Sequence, residues 1–329
     1  MRGWAWWWVG LFTMAGAAAT CGNASRSEVH KKNYPQKRSW FLMTSHVEEH
    51  EGLHLAVSAD GLKWEVVNGD KSVLKPTIPG VFRDPSIARD REGTFHLVWT
   101  MSWSANHHGG IGYASSKDLI HWSAQRIIPV MQNEPTTENV WAPELFWDED
   151  NARWIIHWAS SVGGKFPETL PLYDGHANGR IYYTTTRDFK TFTPSTLLFN
   201  ADCLAIDSYV YRESKGHYYV FFKADRKEEP KRGIFMARGT TATGPYVMDP
   251  HCISGIDEPW AEGPCAVKVG SKTRLYYTTP GYYAAYETTD MTNWTSIRKE
   301  MTVPSGYRHG TVIQITEQEG RGLLGQEWR

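Results

Sequence analysis

The chain has 329 residues, 41% of them hydrophobic and 13% aromatic, with 16 tryptophans and a formal net charge of −1. That is enough apolar material for a large core, and a charge so close to zero excludes recruitment of nucleic acid or anionic membrane by a global basic field. The function must sit in a local site, and the tryptophan surplus suits stacking on sugar rings as well as packing within a large β core.

Residues 1–20 read as a signal peptide: Arg2 supplies the positive charge, Trp4 to Ala15 the apolar segment, and Ala17-Ala18-Ala19 the small residues before cleavage. The apolar run is too short for a good membrane anchor, so a secreted, monomeric protein without membrane or nucleic-acid partners is expected. Residues 21–38 are polar and basic without periodicity and read as a flexible linker. An oxidising route permits disulfides among Cys21, Cys203, Cys252 and Cys265, with three pairings open, and no pair has zinc-site spacing. Asn23-Ala24-Ser25 and Asn293-Trp294-Thr295 are weak glycosylation signals.

From Leu53 onward a pattern comes five times: "LHLAVSADGLKWEVV", "IGYASSKDLIHWSAQ", "IYYTTTRDFKTFTPS", "IFMARGTTATGPYVM" and "YYAAYETTDMTNWTS". Each has a short β-type run, a polar turn and an aromatic that opens a second run, with Asp60, Asp118, Asp188 and Asp290 in four of the turns. A second set interleaves with it, from Arg83, Pro143, Ile206 and Gly263, each a strand, a charged or Gly-containing turn and a second strand. Its fifth member is divided between the two ends, with "SWFLMTS" from Ser39 and "RHGTVIQIT" from Arg308. The expected fold is all-β: a five-bladed β-propeller over residues 39–317, its last blade closed by N- and C-terminal strands, followed by a tail over 318–329. A β-sandwich gives no reason for the two ends to complement each other.

In such a fold the first strand of every blade lines the central channel. Asp84, Glu144, Asp207, Glu262 and His309 are read as the residues at the five strand starts, at equivalent positions in their blades. Four carboxylates converging on one end of an axis repel one another and destabilise a fold, which argues for function. Trp141 and Trp260 lie just before two channel strands and Trp103 in the 101–110 loop expected at the same face; all three offer faces to a sugar ring, although plain packing explains each of them equally well. His107 and His108 in a loop are expected to be structural or substrate contacts rather than metal ligands. His309 on the axis is placed to hold a cation, an ordered water or a carboxylate.

These residues resemble glycoside hydrolase family 43, a family of five-bladed propellers that includes arabinofuranosidases, β-xylosidases, arabinanases and galactanases. "FRDPSI", "NVWAPELF", "AIDSYVY", "AEGPCAVK" and "RHGTV" follow its motifs in order, one per blade, over about residues 40 to 316. Ser208 stands where the motif has Pro, and Gly310 where Asn is commoner. The resemblance implies a polysaccharide or oligosaccharide substrate and an inverting mechanism. In it Asp84 is the general base, Glu262 the general acid and Asp207 the residue that orients Glu262 and raises its pKa. Glu144 is assigned to substrate binding. Arg308 is either a sugar contact or a partner for nearby acids. No cofactor and no metal are expected to be required. Two alternatives stay open. One is a fructan-cleaving propeller of families 32 and 68, whose nucleophile and Glu-Cys acid motifs are missing here. The other is a carbohydrate-binding propeller without catalysis. The long 159–179 loop is expected to wall one side of the pocket.

Overall fold

The computed structural model describes residues 39–48, 51–103, 110–169, 178–255 and 258–328. The signal-peptide and linker readings, Cys21, His107, His108 and the middle of the 159–179 loop lie outside them. Twenty strands form five antiparallel sheets of four. The first blade holds β4 (Arg83–Arg89), β5 (Phe95–Thr100), β6 (Gly110–Ser116) and β7 (Arg126–Pro129). The second holds β8 (Trp141–Asp148), β9 (Arg153–Ser160), β10 (Arg180–Thr186) and β11 (Thr196–Phe199). The third holds β12 (Leu204–Ser214), β13 (His217–Asp225), β14 (Arg232–Gly239) and β15 (Tyr246–Asp249). The fourth holds β16 (Glu262–Val269), β17 (Lys272–Thr279), β18 (Tyr282–Thr288) and β19 (Thr295–Ser296). In the fifth, β20 (Val312–Ile315) pairs with β1 (Trp40–Ser45), which continues into β2 (His54–Ser58) and β3 (Glu65–Val66). This is the expected five-bladed propeller, with the ring sealed by both ends of the described chain.

The inner strands of each blade are buried on both faces, so successive side chains feed different seams. Leu97 and Trp99 of β5 pack between the fifth and first blades with Leu42 and Leu55, while Val98 between them points to the second blade and packs with Ile156. Ile155, Val210 and Phe222 fill the next seam, Phe221 with Leu275 and Tyr277 the one after, and Cys265 with Phe41, Met43 and Val312 the last. The core is therefore five seams arranged around an axis.

The repeated hairpins have one local cause. Ser58, Ser116, Thr186 and Thr288 each accept the N–H three residues ahead, while Asp60, Asp118, Asp188 and Asp290 accept the N–H groups two and three residues beyond themselves. These bonds hold Leu119, Phe189 and Met291 in the left-handed region that bulky residues otherwise avoid. The buried aromatic or aliphatic at that point then plugs the outer end of a seam.

Residues 318–329 were expected as a tail. Instead Thr316 caps a helix, α1 (Glu317–Leu324), through a reciprocal capping box with Glu319. Leu323 of the helix is buried in the seam between the fifth and first blades, and Glu319 pairs with Arg89 at 2.9 Å. Cys203, Cys252 and Cys265 are buried and unbridged. No helix among the described residues is long and apolar enough to cross a membrane.

Ring closure explains the glycine at position 310. A Cβ there would lie 1.9 Å from the Thr44 carbonyl oxygen on β1. Gly310→Asn, which restores the family's commoner residue, should therefore destabilise the protein by about 1–3 kcal/mol through overpacking. Thermal melts of the two proteins check this; an unchanged or raised Tm would contradict it.

Candidate active site

The four inner strands that begin blades one to four open with the same irregularity. Register breaks between Arg83 and Ser86, Trp141 and Glu144, Ile206 and Tyr209, and Glu262 and Cys265. The first residue inside each break has positive φ: Asp84 (49°), Ala142 (47°), Asp207 (52°) and Gly263 (59°). His309 takes the corresponding place in the fifth blade, after the bridge between His46 and Arg308. For the three non-glycine residues this conformation costs about 1 kcal/mol or more each. Gly263 has a second reason to be glycine, since a Cβ would meet the His309 ring at 2.7 Å.

The bulges sort the axial residues into three layers. Arg83, Trp141, Glu262 and Arg308 are at the mouth. Asp84, Asp207 and His309 lie one residue deeper, and Ser86, Glu144 and Thr311 two residues below those. The five strand starts read from the sequence were therefore not equivalent positions. Glu144 is corrected most: it is buried at 2% exposure, with Ser86 Oγ donating to its Oε2 at 2.5 Å and Thr311 Oγ1 at 3.2 Å. Ala142-Pro143 occupies the bulge of that blade, so its carboxylate lies below the residues that line the cavity.

The middle layer is the electrostatic centre. His309 Nδ1 lies 3.4 Å from Asp84 Oδ1 and 3.8 Å from Asp207 Oδ2. Thr100 Oγ1 donates to Asp84 Oδ2 at 2.8 Å and accepts the Ala142 N–H, tying two blades together. The Asp84 N–H donates to His46 Nδ1. Burial alone would raise Asp84, but His309, His46, Arg83 and the Thr100 hydrogen bond outweigh it and hold the carboxyl below its ordinary value. For Asp207 burial prevails. The nearby charges of Glu262 and Asp84 add to it, His309 and Lys223 oppose it, and its pKa is raised. Burial works against a charged His309, yet Asp207, Asp84, Glu144 and Glu262 together raise it. His46 is driven by burial down to about 4 and is neutral.

Glu262 is anchored from two directions. Lys223 Nζ of β13 lies 2.8 Å from its Oε2, and the N–H of the following Gly263 donates to Asp207 Oδ2 at 3.2 Å. Asp207 thus grips the backbone of the proposed acid. Ser208, where the family motif has Pro, is fixed by a 2.8 Å hydrogen bond to His157 Nδ1 and needs no ring to hold the bulge.

Asp84, Glu262, Arg308 and His309 line one cavity of about 690 Å³, with Asp207 buried beside His309. Its other described walls are His46, Arg83, Arg298, residues 278–283 and residues 301–309. Trp141 donates its indole N–H to the Trp103 carbonyl, and Trp103 is stacked on Arg83 at 4.0 Å, so this pair flanks Asp84. Trp260 is exposed and stacked on Arg232, outside the walls of the main cavity. The sequence reading missed His46, Thr100 and Lys223, all on second strands or the loops after them. Nothing local in the sequence distinguishes Lys223 and His46 from surface charges.

Burial also raises Glu144 from 4.5 to about 7, against the hydrogen bonds of Ser86 and Thr311. Between those values the folded state binds more protons than the unfolded chain. The wild type therefore loses stability as pH rises from about 4.5 to 7, by about 3 kcal/mol at most. Glu144→Gln lacks this slope. Its Tm relative to wild type should move upward from pH 5 to pH 8; an equal gap at both would rule out the raised pKa.

Comparison with known proteins agrees with this geometry. A family model described as a probable glycosyl hydrolase domain, related to family 43, matches residues 38–321. An α-L-arabinofuranosidase of Bifidobacterium longum is 26% identical over 201 residues, which is 54% of this chain and 19% of that protein. The chain thus spans about a fifth of the length of this curated relative. Among solved structures, a thermostable family-43 glycoside hydrolase superposes with a TM-score of 0.50 at 15% identity, covering 67% of this chain and 72% of that one. An exo-β-1,3-galactanase from Clostridium thermocellum gives 0.51 at 12% identity, over 68% and 49%. The structural likenesses concern the fold, and the family match runs through every blade and every layer of the axis: the chain belongs to the family 43-related glycosyl hydrolases.

Proposed function

We propose that this protein hydrolyses O-glycosidic bonds at the cavity holding Asp84 and Glu262, acting as an arabinofuranosidase-, xylosidase- or galactanase-type enzyme on a polysaccharide or oligosaccharide. The observation that carries this reading is the pairing of two carboxylates from different blades in one cavity, with unlike surroundings. Hydrolysis needs one carboxyl group to take a proton from water and another to give one to the leaving oxygen. Asp84, kept ionised by His309 and held by Thr100, suits the base. Glu262 suits the acid: Lys223 restrains its side chain and Asp207 its backbone. Unlike environments for neighbouring carboxyl groups are what separates the two roles.

In this reading water attacks the anomeric carbon as Asp84 takes its proton, the bond to the leaving oxygen breaks, and Glu262 protonates that oxygen. The product has inverted configuration. No cofactor enters, and the leader over residues 1–20 exports the enzyme.

Asp84→Asn and Glu262→Gln should each lower kcat/KM by about 10²–10⁴-fold on the best of the chromogenic arabinofuranosides, xylosides and galactosides, with melting temperatures close to wild type. Proton NMR of the first product formed should show the inverted anomer. Folded variants that retain wild-type rates would overturn the assignment.

A further inference from the structure

Charged groups of both signs line the cavity. Three guanidinium groups line it, those of Arg83, Arg298 and Arg308. The two carboxylates in the same walls already have cationic neighbours, Asp84 in His309 and Glu262 in Lys223. Arg298 is the most constrained of the three. It opens the short 3-10 turn Arg298–Glu300, and its guanidinium lies flat on the Tyr282 ring at 3.5 Å. Glu258 Oε1 is 3.8 Å from its Nη1, close enough to orient it but too far for a hydrogen bond. The oxygens of Glu258 are taken instead by the hydroxyls of Tyr277, Tyr282 and Tyr286. Among the described residues no acceptor takes a hydrogen bond from the Arg298 side chain, and none from that of Arg308.

A planar fork of donors, stacked on a tyrosine ring and half exposed in a cavity wall, can exchange its water for a planar or tetrahedral oxyanion. Like charges sharing one cavity repel, and an anion between them relieves the repulsion. We propose that Arg298 is the specificity-determining residue of an acidic-sugar subsite, receiving the carboxylate of a uronic acid or the sulfate of a sulfated sugar next to the bond that is cleaved. Arg308 lines the same cavity. The size of the cavity, about 690 Å³, accommodates a sugar residue beyond the one being released. This proposal rests on the glycosidase reading of the same cavity.

The test separates the two. Binding is measured by calorimetry with the Glu262→Gln protein, with and without Arg298→Gln. The probes are oligosaccharides from a glucuronate-bearing arabinogalactan, the same material after carboxyl reduction, and a sulfated galactan oligosaccharide. In parallel, the wild type and Arg298→Gln are assayed on the acidic oligosaccharides and on the chromogenic glycoside that the wild type cleaves best. Expected is a preference of about tenfold or more for one acidic probe over the neutral one, the scale of a charge-assisted hydrogen bond. It should weaken with salt and vanish in Arg298→Gln, whose loss in kcat/KM should be larger on an acidic oligosaccharide than on the uncharged chromogenic glycoside. Preference for the glucuronate or for the sulfate probe identifies which anion the subsite takes. Equal binding of acidic and neutral probes, or a preference that survives Arg298→Gln, overturns the subsite and leaves the glycosidase reading intact. Absence of hydrolysis of every glycoside by the wild type overturns the glycosidase reading, whereas the binding arm still decides the charge preference.

Discussion

The imidazole of His309 lies between two aspartates that would otherwise repel each other across a buried axis. Two carboxylates withdrawn from water cannot both ionise without a counter-charge. His309 supplies it, leaning toward Asp84 by 0.4 Å, the difference between 3.8 and 3.4 Å. His309, His46, Arg83 and the Thr100 hydrogen bond hold Asp84 below its ordinary value, while burial and the nearby charge of Glu262 leave Asp207 raised.

The ring can sit there because the backbone makes room. Four strand entrances carry the same break in register and the same left-handed residue, and the glycine among them leaves space for the imidazole. Two of the others are Asp84 and Asp207 themselves. Conformational strain and the buried axial carboxylates therefore coincide at the same residues, and the surrounding blades hold both in place. Thr100 ties Asp84 to the backbone of the second blade, and Thr44 bonds to the carbonyl of Pro85 while accepting the Thr311 N–H. Each cross-blade threonine fixes a bulge from behind, so the cavity walls are rigid elements of the scaffold.

Much of this was legible in the sequence. The four Asp-containing turns are local chemistry, in which each aspartate bonds the next few amides, and local chemistry is what a repeat displays. The split fifth unit gave away the ring closure, since "RHGTVIQIT" and "SWFLMTS" each lacked a partner. The depth of the axial residues was not legible. A bulge shifts every following side chain by a layer, and only the strand pairing reveals that Ala142 and not Glu144 matches Asp84. The cationic partners were hidden for a different reason. Lys223 and His46 act through contacts to residues 39 and 38 positions away, and alone they look like ordinary surface charges. Arg298 is similar, because its meaning depends on Tyr282 and on a glutamate whose oxygens three tyrosines occupy.

The closure of the ring also sets an order in time. Asp84 lies in the first blade, Asp207 in the third and Glu262 in the fourth, so a growing chain emerging from the ribosome presents its acids long before the imidazole that separates them. Until residues 308–315 arrive and zip against Trp40–Ser45, the first and fourth blades each expose an apolar flank, and the aspartates have no shared counter-ion. β20, the last of the described strands, is thus both the latch of the fold and the neighbour of the imidazole that separates the two aspartates.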